Sequence, residues 1–101
     1  MLASLSIFPI DKGESVGKYV AKMVDIVDKS KLPYRTSAMS TVMEGNWNQV
    51  FTVIKKCHDT LMKESNRAYM VITIDDRKKA KNRLTGKVDR IEQVLKRKIK
   101  R

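Results

Sequence analysis

The spacing of apolar residues changes repeatedly along this chain, and the order of those changes most limits its fold. Residues 2–8 alternate, with Ala3, Leu5 and Ile7 on one side and Leu2, Ser4, Ser6 and Phe8 on the other, the pattern of a half-buried strand. Pro9 and Asp11-Lys12-Gly13 stop it. From about Glu14 to Ser30 the spacing lengthens, and Val16, Tyr19, Val20, Met23 and Val27 form one stripe of an amphipathic helix. Pro33 marks its exit. Residues 34–39 and 41–44 read as two short strands joined tightly at Ser40. Asn46 and Gln49 have the spacing of a capping box, and Trp47, Val50, Ile54, Cys57 and Leu61 then carry a helix to about Glu64. Residues 67–75, rich in β-branched and aromatic side chains, are the best strand in the chain. A polar, basic loop over 76–86 precedes a final helix marked by Val88, Ile91, Leu95 and Ile99.

This βαββαβ order predicts an α+β, ferredoxin-like fold: a four-stranded antiparallel sheet with two helices on one face, plus an extra C-terminal helix. The length of 101 residues fits one domain, 1–101. With both helices on one face, the other has no cover. The residues assigned to it include Leu2, Phe8, Met39 and Val71 among Ser4, Ser6, Ser37 and Thr73, a half-apolar surface of the kind that another subunit or a ligand buries. A homo-oligomer built through its sheets is therefore expected. The stripe of the final helix also needs a partner surface, on its own subunit or on a neighbour.

Charge sets the last quarter of the chain apart. Of 22 Lys+Arg and 11 Asp+Glu, residues 77–101 hold twelve basic side chains against only Asp89 and Glu92, and the remainder is nearly balanced. Such a segment attracts polyanions, since neutralised phosphates release counterions. No aromatic residue follows Tyr69 to stack on bases, however, and a solvated face has the same composition. One Cys and one His exclude an internal disulfide and the common Cys- or His-rich metal centres, so neither metal nor cofactor is expected. No apolar run approaches the ~18–20 residues of a membrane span, and residues 1–10 lack the basic start of a secretory signal. A cytoplasmic location is expected.

Candidate chemistry is sparse. Cys57 and His58 are neighbours, but successive residues on a helix diverge by about 100°, so they do not form a nucleophile–base pair. Cys57 falls in the buried stripe, as a small hydrophobe would. Asp75 and Asp76 end a strand and point to opposite faces, which suits a turn cap and an ion pair with Arg77 or a nearby Lys better than a carboxylate dyad. Trp47 is expected in the core. Glu44 lies next to a helix start, where the dipole stabilises a carboxylate and a cationic ligand would also find one. No Gly-rich phosphate loop, nucleophile elbow or zinc helix is present. The residues point to a binding protein, not an enzyme.

Several motifs, in consistent order and spacing, resemble the small thiamine-binding protein family (the YkoF-like group). Leu5-Ser6-Ile7-Phe8-Pro9-Ile10, then Gly13-Glu14-Ser15-Val16 with Tyr19-Val20-Ala21, is similar to its beginning. Ser37-Ala38-Met39-Ser40-Thr41-Val42-Met43-Glu44-Gly45 resembles its Thr-Pro-Met-Gly-Thr-x-x-Glu-Gly signature, with Ser37, Ala38 and Ser40 as departures. Cys57-His58 with Leu61, Ile74-Asp75-Asp76-Arg77 and Gly86-Lys87-Val88 continue the likeness, although Thr73 stands where a Lys is common. The resemblance implies a ferredoxin-like fold, dimers and tetramers assembled through the sheets, with a tetramer built from dimers favoured, and non-catalytic binding of thiamine or its hydroxymethylpyrimidine part. It also implies that Ser6, Ser37, Met39, Thr41 and Glu44 line the ligand. Hydroxyls would hydrogen-bond an aminopyrimidine, Met39 would pack on its ring, and Glu44 would offset the thiazolium charge. Two alternatives stay open: a structural or regulatory homo-oligomer with a different or anionic ligand, and nucleic-acid binding by residues 77–101.

Overall fold

In the computed structural model, which describes residues 1–101, four strands form one antiparallel sheet. They are β1 (Leu2–Pro9), β2 (Tyr34–Thr36), β3 (Thr41–Glu44) and β4 (Ala68–Asp75), in the spatial order β2-β3-β1-β4. Helices α1 (Gly17–Lys29) and α2 (Trp47–Met62) connect them, and α3 (Arg83–Leu95) follows. Element order and strand order together are those of the ferredoxin-like fold. β1 lies at the centre, pairing with β3 from Leu2↔Glu44 to Leu5↔Thr41 and with β4 along its whole length.

The alternation in β1 decides which face is buried. Ala3, Leu5 and Ile7 join Met43 of β3 under Tyr19, Met23 and Val27 of α1 and Val50, Val53, Ile54, Cys57 and Leu61 of α2. Each large apolar side chain withdrawn from water in this way contributes about 1.5–3 kcal/mol. Asn46 and Gln49 close the start of α2 reciprocally. The Gln49 amide donates to Asn46 Oδ1 at 2.8 Å, and the Asn46 amide donates to Gln49 Oε1 at 2.9 Å.

Four expectations change. Helix α1 starts at Gly17, not near Glu14, and Val16 at its N-cap offers no side-chain acceptor for the first amides. Strand β2 ends at Thr36, and residues 37–40 form a loop rather than a tight connection at Ser40. The Ser37 amide and hydroxyl both donate to the Ser40 carbonyl, at 2.9 and 3.1 Å. Ser37 and Met39 therefore belong to this loop and not to the uncovered sheet face, and Met39 is 84% exposed.

Trp47 is 57% exposed and leans on Phe51 at 4.4 Å between ring centroids. At 100° per residue both lie on the flank of the stripe formed by Val50, Ile54 and Cys57. Helix α3 begins at Arg83, well before Val88, and stops at Leu95, because Lys96 turns into the left-handed region at φ 58°. Ile99 thus lies beyond it. The stripe of α3 is only partly covered on its own subunit: Val88 and Ile99 are half-buried, and Ile91, Val94 and Leu95 are exposed.

Candidate ligand-binding site

The unequal lengths of β1 and β3 create the site. β3 stops pairing at Leu5↔Thr41, while β1 continues to Pro9. The edge of β1 that faces β3 is therefore bare from Ser6 onward. In an antiparallel strand, successive residues turn their backbone groups to opposite neighbours. Met1 accepts from Gly45 on the β3 side, and Ile10 donates to Arg67 on the β4 side. By this alternation the N–H and C=O of Ile7 face the bare edge, where no strand receives them.

Helix α1 and the 37–40 loop wall this edge into an open cavity of about 260 Å³. Val20, Met23 and Val24 contribute an apolar side, and Ser6, Ser37, Met39 and Thr41 also line it. The Thr41 hydroxyl lies 3.0 Å from that of Thr36, and Met39 stands at the rim. No charged side chain lines the cavity. Four of the five residues named from sequence thus share one site.

Glu44 is elsewhere. It sits at the far end of β3, three residues or about 10 Å from Thr41. Its carboxylate accepts the Arg83 amide at 2.8 Å and the Leu84 amide at 3.1 Å. Asn82, the residue preceding α3, makes no side-chain cap, so Glu44 closes that helix from across the chain. The helix start that explains Glu44 is that of α3, and the adjacent α2 is capped by Asn46.

The remaining reactive groups are spoken for. Cys57 is fully buried, its Sγ 3.8 Å from the Met23 carbonyl, and burial pushes its thiol up to about 11. His58 is exposed and 3.0 Å from Asp59, whose carboxyl is held below its usual range by Lys55 first and by His58 second. Asp75 pairs with Lys87, which lowers its pKa, and Arg83 and Arg77 add to the effect.

The peptide edge of Ile7 and the walls supplied by Val20 and Val24 were not foreseen. The signal available was a strand of eight residues opposite one of four. Glu92 was also missed as a buried carboxylate. It accepts from Arg101 Nη2 at 2.6 Å and from the Ile99 amide at 2.9 Å.

The fold is thus an α+β, ferredoxin-like sheet with an uncharged notch beside its central strand. The family described as "Thiamine-binding protein" matches residues 3–92, and the chain belongs to it. The UPF0045 protein MJ1052 of Methanocaldococcus jannaschii is 34% identical over 94 residues, covering 93% of this chain and 94% of that protein. Its crystal structure superposes with a TM-score of 0.83, covering 91% of this chain and 95% of the other. The UPF0045 protein Mb1933 of Mycobacterium bovis is also 34% identical, over 94% of each chain. A Thermotoga maritima structure, provisionally described as a thiamine biosynthesis/salvage protein, shares the fold with a TM-score of 0.79 at 14% identity, covering 89% of this chain and 96% of that one.

Proposed function

We propose that the notch binds a neutral aminopyrimidine, the hydroxymethylpyrimidine part of thiamine, and that the protein is a non-catalytic binder acting in the cytoplasm as a sheet-built homo-oligomer. The observation that carries this reading is the bare peptide edge of Ile7 in a cavity without charge. An aminopyrimidine presents a ring-nitrogen acceptor next to an exocyclic N–H donor, and one strand residue offers the complementary N–H and C=O. The hydroxyls of Ser6, Ser37 and Thr41 supply further partners, and Met39 at the rim suits the ring face. With Glu44 engaged by α3, the lining offers nothing to offset a thiazolium, so recognition falls on the pyrimidine. The volume lies just below the usual small-ligand range of about 300–1,000 Å³. Family membership supports the same chemistry.

Two uncovered apolar surfaces support self-association. Phe8, Tyr69 and Val71 lie on the sheet face opposite α1 and α2, and Ile91 and Leu95 lie on α3. The test is calorimetric titration with thiamine and, separately, with 4-amino-5-hydroxymethyl-2-methylpyrimidine. The expected result is saturable binding of both at one site per subunit, with affinities within about tenfold, or 1.4 kcal/mol. Binding of thiamine alone would remove the pyrimidine assignment, and no heat from either at two temperatures would remove the function.

A further inference from the structure

We propose that residues 77–101 form a second binding surface, for duplex nucleic acid, which grips the phosphate backbone without reading base sequence. The segment carries twelve Lys and Arg side chains. Only Lys87, Lys98 and Arg101 face a carboxylate within 4.0 Å; the other nine have none. These nine do not trail in a loose tail. Asp89 and Glu92, the only acids of the segment, both hold Arg101, while the Ile99 amide donates to Glu92 at 2.9 Å. The chain after Leu95 is thereby folded back onto the end of α3. One arginine occupies both carboxylates, with Lys98 only at 3.9 Å from Glu92, and Lys96, Arg97 and Lys100 beside it have no carboxylate partner.

The result is two basic clusters at fixed separation. The 77–81 turn holds four cations, the 96–100 stretch holds four more, and α3 stands between them. Its thirteen residues set the clusters about 20 Å apart at 1.5 Å per residue. A duplex places one phosphate charge about every 1.7 Å of its axis, so both clusters can engage the backbone of one short duplex. A backbone already held in place loses little freedom on binding. No aromatic residue follows Tyr69, which removes the stacking platforms that single-strand binders use and favours the duplex. The surface lies outside the notch, so this binding does not depend on the pyrimidine reading.

The test uses the full chain and fluorescence anisotropy with labelled ~20-bp duplexes, one DNA pair of unrelated sequences and the same pair as RNA, across about 50–300 mM salt. Binding to either duplex type is expected to fall log-linearly with salt and to agree within about threefold between the two sequences. The variant K96Q/R97Q/K98Q/K100Q, and separately R77Q/K78Q/K79Q/K81Q, is expected to bind at least about tenfold more weakly with a shallower salt slope. Circular dichroism melts of both variants check that the fold is kept. Failure to bind any duplex at the lowest salt would overturn the proposal. So would salt-independent binding, a preference for single strands, or capture by phosphatidylserine vesicles in place of the duplexes.

Discussion

The carboxylate of Glu44 accepts the backbone N–H of Arg83 at 2.8 Å, joining the end of β3 to the first turn of α3. A second bond, from Leu84 at 3.1 Å, uses the other oxygen. Thirty-nine positions of chain separate the first pair, so the cap is a tertiary contact that also sets the direction of α3. Replacing Glu44 by Ala leaves two amides unpaired and is expected to cost about 1–2 kcal/mol. The loss should be concentrated in faster amide exchange over α3, with pyrimidine affinity changed less than about twofold. A large loss of affinity with α3 protection intact would return Glu44 to the ligand site.

Val20 offers a direct test of the notch. It lines the cavity from α1 yet is partly exposed, so a larger side chain there can grow into the cavity without overpacking the core. Val20→Trp is expected to weaken pyrimidine binding by at least about tenfold, or 1.4 kcal/mol, while shifting the melting temperature by only a few degrees. Undiminished binding by calorimetry would place the ligand elsewhere.

Much of the fold could be read from residue spacing because its determinants are local. Alternation in β1 and the stripe of α2 report burial directly, and the Asn46–Gln49 pair closes its helix within three residues. What could not be read depends on distant contacts. The start of α3 is set by Glu44, its end by the left-handed turn at Lys96, and the tail by Glu92 and Arg101. The site divides in the same way. Ser37, Met39 and Thr41 come together because they are close in sequence, whereas the exposed edge of Ile7 follows from where β3 stops pairing with β1. Trp47 went astray because both its type and its place in the stripe suggested burial, whereas it is the first residue of α2 and is 57% exposed.

Cys57 serves as an internal reporter of unfolding. Its thiol is raised from 9.0 to about 11 by burial alone, so little thiolate exists in the folded protein at pH 8. Iodoacetamide labelling at that pH is expected to be slow, and to accelerate with urea in parallel with loss of helical signal. The sign for stability follows from the raised value: the folded state gives up protons less readily, so stability declines as pH rises above 9.0. Rapid labelling of the native protein would show that the α1–α2 contact opens independently.

Self-association can be dissected with one charge at a time. Val71 lies opposite Ser6 on the uncovered sheet face, and Ile91 lies on the exposed stripe of α3. An aspartate at either position would be desolvated without a partner in an assembled interface, while costing little in a single subunit. Val71→Asp is expected to shift sedimentation at micromolar concentration toward the single-chain mass, and Ile91→Asp to do so if α3 also covers a neighbour. A wild-type protein that already sediments as one chain would remove the sheet-built oligomer.

The tail is held by a pH-dependent contact. Arg101 first, and the Ile99 amide second, lower the pKa of Glu92 below its ordinary 4.5, and Arg101 also reaches Asp89. A depressed folded value means that the contact contributes fully above about pH 4.5 and is lost as pH falls through the folded pKa. Heteronuclear relaxation of residues 97–101 is therefore expected to report an ordered tail at neutral pH and a mobile one in acid. Glu92→Gln should loosen the tail at neutral pH and shrink that transition, because the substituted amide does not titrate and only Asp89 is left to hold Arg101. A tail that stays ordered in acid, or in the Gln variant, would mean that packing of Ile99 holds it instead of the Glu92–Arg101 pair.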